Sequence, residues 1–329
     1  MTRAVKFQKY GGPEVLKIES IDQTEPAAGE VRVQMKVLAL NRANSLFRNG
    51  TYLFEASFPS RIGTEGVGII DAIGEDVSDF QVGQRVNFLP PENESEGGYA
   101  ADFNIVRKEF LLPAPDGLND RQAATAWVPF LTLYHLFVEK GLAARGHWVV
   151  LPAASSSVSL AANNLAHHLG AKTIGLTRTS RKAQALKAVG YDAVVISEGE
   201  DVSARILEIT GDGADFVFDP VGGSQLKKLA ASVKPGASIN VYGLLDQEPT
   251  ALPIFELMKS GATLSCYTVY ELMTNPQRLR EAIEYFLPLF KSGKLAPMVD
   301  ESEYSLDQIV EAFQHLESNT QFGKVIVKF

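Results

Sequence analysis

The chain has 329 residues, 45% of them hydrophobic, with a formal net charge of -8 and a single cysteine. That length exceeds one typical core and predicts two domains. The acidic balance argues against a nucleic-acid footprint, and one cysteine, Cys266, excludes an intramolecular disulfide and a cysteine-built zinc site. No run of about 18 apolar residues occurs, so no membrane contact is expected.

The opening MTRAVKFQKYGGPEVLKI reads as a strand, a Gly-Gly-Pro turn and a second strand, not as a signal peptide, and a cytoplasmic setting is expected. Up to about Val106 the texture stays β, with short runs such as VRVQMKVLAL, GVGIIDAIG and QRVNFL broken by Gly, Pro, Asn and Asp. From about Asp120 the period turns helical in RQAATAWVPFLTLYHLFVEKG. Strands then alternate with helices: WVVLPA, KTIGLT, DAVVIS, DFVFDP, ASINVYG and ATLSCY. Such alternation predicts a parallel, doubly wound sheet. Two amphipathic helices follow, near 276–292 and 305–318, and the closing strand GKVIVKF is expected to return to the N-terminal β domain. The expected division is therefore a β domain of 1–119 and 267–329, interrupted by an α/β domain of 120–266.

The most informative stretch is Trp148 to Lys182, a strand, a small-residue loop, a helix, a strand and a cationic patch. A Rossmann turn lets backbone amides approach a pyrophosphate at a helix N-terminus, which demands small residues. Ala153 to Ser159 supply them, although the expected glycine positions hold Ala153, Ser156 and Ser159. Ala154, Ser155, Ser156, Ser157 and Val158 are assigned to the cofactor, with serine hydroxyls available to phosphate; the competing reading is an ordinary strand-to-helix connection. After the second strand, Thr177, Arg178 and Lys182 stand where a 2′-hydroxyl would need an acidic residue. Cations there favour the 2′-phosphate of NADP over NAD. Arg181 and Lys182 read equally as a solvated helical turn.

These residues, with GGPEVLKI, ALNRANSLFRNGTY, IGTEGVGIIDAIGEDVSDFQVGQRV, GGYAADFNIV, WVPFLTLYHL, LPAASSSVSLAA, FDPVGG, VYGLL and GKVIVKF, extend over essentially the whole chain. Together they resemble the medium-chain dehydrogenase/reductase superfamily and, within it, the zinc-independent quinone oxidoreductase-like branch. The resemblance implies a GroES-like β domain, a Rossmann domain and a cleft between them. It places Asn41 beside nicotinamide and acceptor, its amide available to a developing oxyanion. It places Tyr52 at the substrate, Thr132 near the nicotinamide, and Gly243 and Leu244 along it. Lys324 is assigned to a cofactor phosphate, against a competing reading as a solvated lysine. Zinc relatives carry a Cys at the position of Asn41 and a His at that of Thr64, so no metal is expected, and Glu65 is read as a structural ion-pair or hydrogen-bond partner. His167 and His168 point about 100° apart on a helix and make no one-face metal pair.

The implied activity is NADPH-dependent reduction of quinones or α,β-unsaturated carbonyls by direct hydride transfer in a homodimer. Two alternatives stay open: an enoyl-thioester reductase, and a catalytically weak nucleotide- or nucleic-acid-binding relative, for which the glycine-poor cradle is the main support.

Overall fold

The computed structural model describes residues 2–329, which divide into two compact units, 2–128 with Pro297–Phe329, and Pro129–Ala296. The second unit runs beyond residue 266, the boundary expected from the sequence. The reason is aromatic packing: the helix Pro276–Lys291 buries Phe286 and Phe290, whose rings meet Phe130 edge-on at 5.4 and 5.0 Å.

In the first unit, the strand Glu30–Ala39 buries Val31, Val33 and Met35 at every second position, the period of a pleated strand covered on one face. It lies at the centre of a seven-stranded sheet. Glu65–Ile73 pairs antiparallel along one edge, while Phe103–Arg107 and the terminal strand Ile326–Lys328 share the other. Val327 sits opposite Leu38, which ties the end of the chain to its first third. A three-stranded sheet of Lys17–Ile21, Thr2–Phe7 and Ser60–Arg61 joins it around a core that includes Phe7, Val33, Phe47, Phe88 and Phe313. The helix Arg42–Asn49 ends at Gly50, whose φ of 81° is a left-handed conformation that glycine adopts without cost.

In the second unit, six parallel strands lie in the order Ala193–Ile196, Lys172–Thr177, Trp148–Leu151, Ala214–Asp219, Val233–Val241 and Thr263–Cys266. Chain order runs outward one way for three strands and then reverses, so the carboxyl ends of Trp148–Leu151 and Ala214–Asp219 flank a topological switch point. Open α/β sheets bind ligands there.

The helical stretch expected over 121–141 is split into Asp120–Ala123, Trp127–Leu133 and a wider π turn, Tyr134–Glu139. Val128 N–H donates to the Glu65 carboxylate at 3.2 Å, and Lys140 N–H reaches back five residues to His135 O. The wide turn seats Phe137 against Phe216 and Phe218 at 5.4 and 5.3 Å.

Candidate functional site

The strand Trp148–Leu151 delivers the chain to the switch point, and Pro152–Ser156 turns it into the helix Ser157–Leu169. Ala153 holds φ +47°. A left-handed alanine costs about 1–2 kcal/mol and marks a turn whose geometry the surroundings impose. Ala154 N–H donates to Leu176 O at 3.0 Å, tying the turn to the neighbouring strand.

Two of the serines are committed to the turn itself. Ser156 caps the helix by accepting Ser159 N–H at 3.2 Å, Ser156 Oγ donates to Ser159 Oγ at 3.0 Å, and Ser159 Oγ donates to Pro152 O at 2.8 Å. These hydroxyls close on one another, so the expectation that they serve phosphate directly is corrected: they are the helix cap. The first-turn amides of Ser157 and Val158 have no intrahelical acceptor, as at any helix N-terminus. Ser155 lies beside them, and its Oγ accepts Lys182 Nζ at 2.8 Å. The structure thus brings Ser155, Ser157, Val158 and Lys182 together at one helix N-terminus. This combination of amide dipoles, a hydroxyl and an ammonium suits a phosphate.

Thr177 ends the second strand opposite Ile196, and Arg178 follows it, exposed. Tyr191 fills the space beneath the cradle, its hydroxyl within 2.9 Å of Ala154 O and 3.0 Å of Ser159 O. Gly175 makes room, since a Cβ there would lie 2.8 Å from the Tyr191 ring. Tyr242 stacks on Phe218 at 3.9 Å and turns its buried hydroxyl to Ser159 and Ser156; burial pushes that hydroxyl's pKa up. No motif singled out either tyrosine, because a buried aromatic reads as core.

Across the switch point, the turn after Ala214–Asp219 is zipped to the segment carrying Gly243 and Leu244. Tyr242 N–H donates to Asp219 O at 2.9 Å, and Leu245 N–H to Pro220 O at 3.0 Å. The Asp219 carboxylate accepts Val221 N–H and Gly222 N–H at 2.8 and 3.1 Å, yet burial still raises its pKa to about 6. Thr132 is buried within the helix Trp127–Leu133.

In the first unit, Asn41 precedes the helix Arg42–Asn49 and anchors a buried polar network. Its Oδ1 accepts Lys324 Nζ at 2.6 Å, and its Nδ2 donates to Glu65 Oε1 at 3.0 Å and Thr64 Oγ1 at 3.2 Å. Lys324 also forms an ion pair with Glu65, and the two side chains are only 2% and 1% exposed. Asn44 Nδ2 donates to Thr64 Oγ1 at 3.2 Å and to Glu94 Oε1 at 2.7 Å. Lys324 is therefore neither a solvated lysine nor turned out toward a phosphate: its ammonium is spent on Glu65 and Asn41. The Asn41 amide likewise has both N–H groups engaged, which corrects its expected role as a ready oxyanion donor. Tyr52 is half-buried in the loop after the helix, its ring 6.0 Å from that of Phe54.

Two family models match the chain: residues 27–116 match the alcohol dehydrogenase GroES-like domain, and residues 157–287 the zinc-binding dehydrogenase domain. Among curated relatives, quinone oxidoreductase 1 of Escherichia coli is 28% identical and a quinone oxidoreductase of Pseudomonas aeruginosa 26%, each alignment covering 99% of both chains. The crystal structure of Escherichia coli quinone oxidoreductase complexed with NADPH superposes with a TM-score of 0.90 at 27% identity, covering 100% of both chains. The chain belongs to the medium-chain dehydrogenase/reductase superfamily, in its quinone oxidoreductase-like branch.

One domain model of the superfamily is named for zinc, so the donors here must be tested against that ion. Zinc sites use thiolate, imidazole or carboxylate ligands. At the two positions where zinc members of the superfamily place Cys and His stand the amide of Asn41 and the hydroxyl of Thr64, with a lysine ammonium seated on the adjoining carboxylate. A dication would face that ammonium and two neutral donors already engaged, and the residues do not fit it. Among the described residues no cluster of three or more His, Cys, Asp or Glu suits a metal elsewhere.

Proposed function

We propose that the protein is an NADPH-dependent oxidoreductase that reduces quinones or α,β-unsaturated carbonyls by direct hydride transfer without a metal. The observation that carries this reading is the cation set at the cradle, with Lys182 on Ser155 and Arg178 at the end of the second strand where an acidic residue would hold NAD. Likeness to a quinone oxidoreductase complexed with NADPH over the full chain supports it.

Bound NADPH supplies the hydride. The amides of Ser157 and Val158 hold its pyrophosphate, Lys182 and Arg178 its 2′-phosphate, and Gly243, Leu244 and Thr132 its nicotinamide end. Tyr52 donates a hydrogen bond from its phenol O–H to the carbonyl oxygen of the acceptor, where negative charge grows as hydride arrives at the β-carbon or quinone ring. The proton that completes the product comes from this phenol or from water. Leu53, Phe54 and Phe58, all exposed, give this loop an apolar surface suited to a flat acceptor. The single exposed cysteine favours a reducing compartment, and a cytoplasmic location is proposed with it.

Fluorescence titration with NADPH and NADH tests the reading. Tight, NADPH-selective binding is expected, and Arg178→Ala should weaken NADPH by about 1.5–3 kcal/mol while leaving NADH nearly unchanged. Equal losses for both cofactors would remove Arg178 from the 2′-phosphate site.

A further inference from the structure

Counting hydrogens in the buried network around Asn41 leaves two without an acceptor among the described residues: the third N–H of the Lys324 ammonium, which has only Asn41 and Glu65 as partners, and the hydroxyl hydrogen of Thr64. Two charged partners fix the Asn41 amide: the Lys324 ammonium selects Oδ1 and the Glu65 carboxylate selects Nδ2. Asn44 is fixed the same way, since its Oδ1 accepts Asn41 N–H at 2.9 Å and its Nδ2 donates to Glu94. The second N–H of each amide then falls on the same atom, Thr64 Oγ1, at 3.2 Å in both cases. A hydroxyl has two lone pairs and one hydrogen. Both lone pairs are consumed, so the Thr64 hydrogen must donate outward, and among the described residues it has no acceptor. Thr64 is 5% exposed, and a buried donor left unpaired destabilises the fold, which calls for a partner arriving from outside it.

We propose that Thr64 is a catalytic hydrogen-bond donor, its hydroxyl meeting the carbonyl oxygen of the acceptor. Lys324 and Glu65 are positioning residues: the ammonium polarises the Asn41 amide, the amide polarises the Thr64 hydroxyl, and the chain strengthens the last donor. This replaces the oxyanion role that the Asn41 amide cannot fill with both of its N–H groups engaged. The proposal rests on the reductase reading above and deepens it by naming a second donor, beside Tyr52, to the acceptor's oxygen.

The test compares wild type, Thr64→Val and Thr64→Ser in steady-state reduction of a quinone and an enone, with NADPH affinity measured in parallel. Expected is a loss of about 10- to 100-fold in kcat/KM for Thr64→Val, an unchanged Kd for NADPH, and recovery of most of the rate in Thr64→Ser. The serine variant keeps both accepted bonds and folds with the network intact, so it holds the comparison open even if the valine variant misfolds; a serine variant with its hydroxyl present but turnover lost would overturn the proposal. Unchanged kcat/KM in Thr64→Val, with or without lowered stability, would also overturn it, leaving Thr64 a purely structural acceptor. A wild type that binds NADPH but reduces neither acceptor would overturn the reductase reading and the proposal together, which separates the two failures.

Discussion

Glu94 shows how a single residue sets a pH dependence for this fold. Its carboxylate is enclosed, and Oε1 accepts Gly63 N–H at 2.9 Å and Asn44 Nδ2 at 2.7 Å, yet burial dominates and raises its pKa to about 7. A carboxyl group whose pKa is higher folded than unfolded favours the native state in its protonated form. Its stabilising contribution is complete below the ordinary glutamate value of 4.5 and is lost as pH rises through about 7. Glu94→Gln retains the accepting oxygen and discards the charge. Urea denaturation across pH 4.5 to 8 should therefore find the variant more stable than wild type above neutrality, by on the order of 3 kcal/mol, with the difference closing toward the acid end. Asp219 is raised as well, but it titrates in both proteins and cancels in the comparison. A difference that stays constant with pH would show that Glu94 keeps its charge throughout. The Lys324 and Glu65 pair makes the contrasting case: each buried charge is matched by the other and by Asn41, so removing either partner alone strands the survivor.

At the scale of elements, the cradle separates what a serine does from what a glycine would do. Because Ser156 turns its hydroxyl inward to cap the helix Ser157–Leu169, Ser156→Ala should lower the stability of the protein by about 1 kcal/mol and leave NADPH affinity within a small factor of wild type. A large loss of NADPH affinity with intact stability would return the hydroxyl to the phosphate. This distinction was not legible in the sequence. The pattern of strands was: WVVL and AVVI are continuous apolar runs and KTIGLT holds a shorter one at Ile174–Leu176, because a parallel sheet is covered on both faces, and the structure places each of them in it. Helix 121–141 was legible only in part, since periodicity records which face is apolar and not that Glu65 takes the Val128 amide or that the last turn widens around Phe137. At the cradle, the contact between Lys182 and Ser155, 27 residues apart in the segments that follow neighbouring strands, was not legible, although both residues stood out in the sequence. The site was illegible at Lys324, whose partner Asn41 lies 283 residues away, because burial of a lysine depends on contacts that no local pattern encodes.

At the scale of the whole molecule, the second unit offers a sheet edge that no other strand pairs among the described residues. Thr263–Cys266 is the last strand of its sheet and presents free backbone groups on its outer side. Just before it, the helix Ile254–Ser260 leaves Phe255 81% and Met258 79% exposed, with Leu252 and Ile254 more than half exposed beside them. An exposed strand edge invites pairing with another chain, and large apolar side chains gathered beside it mark an interaction surface. Two copies related by a two-fold axis would join these edges into one continuous sheet and cover both apolar helices, an arrangement that closes on itself. Light scattering after size exclusion should then report a mass near twice 35.8 kDa at micromolar protein. Phe255→Glu with Met258→Glu places four like charges in such an interface and should shift the particle to a single chain without loss of folding, because both side chains are exposed within the protomer. If wild type already elutes as one chain, the edge serves no self-association, and if the double variant stays dimeric the contact lies on another face.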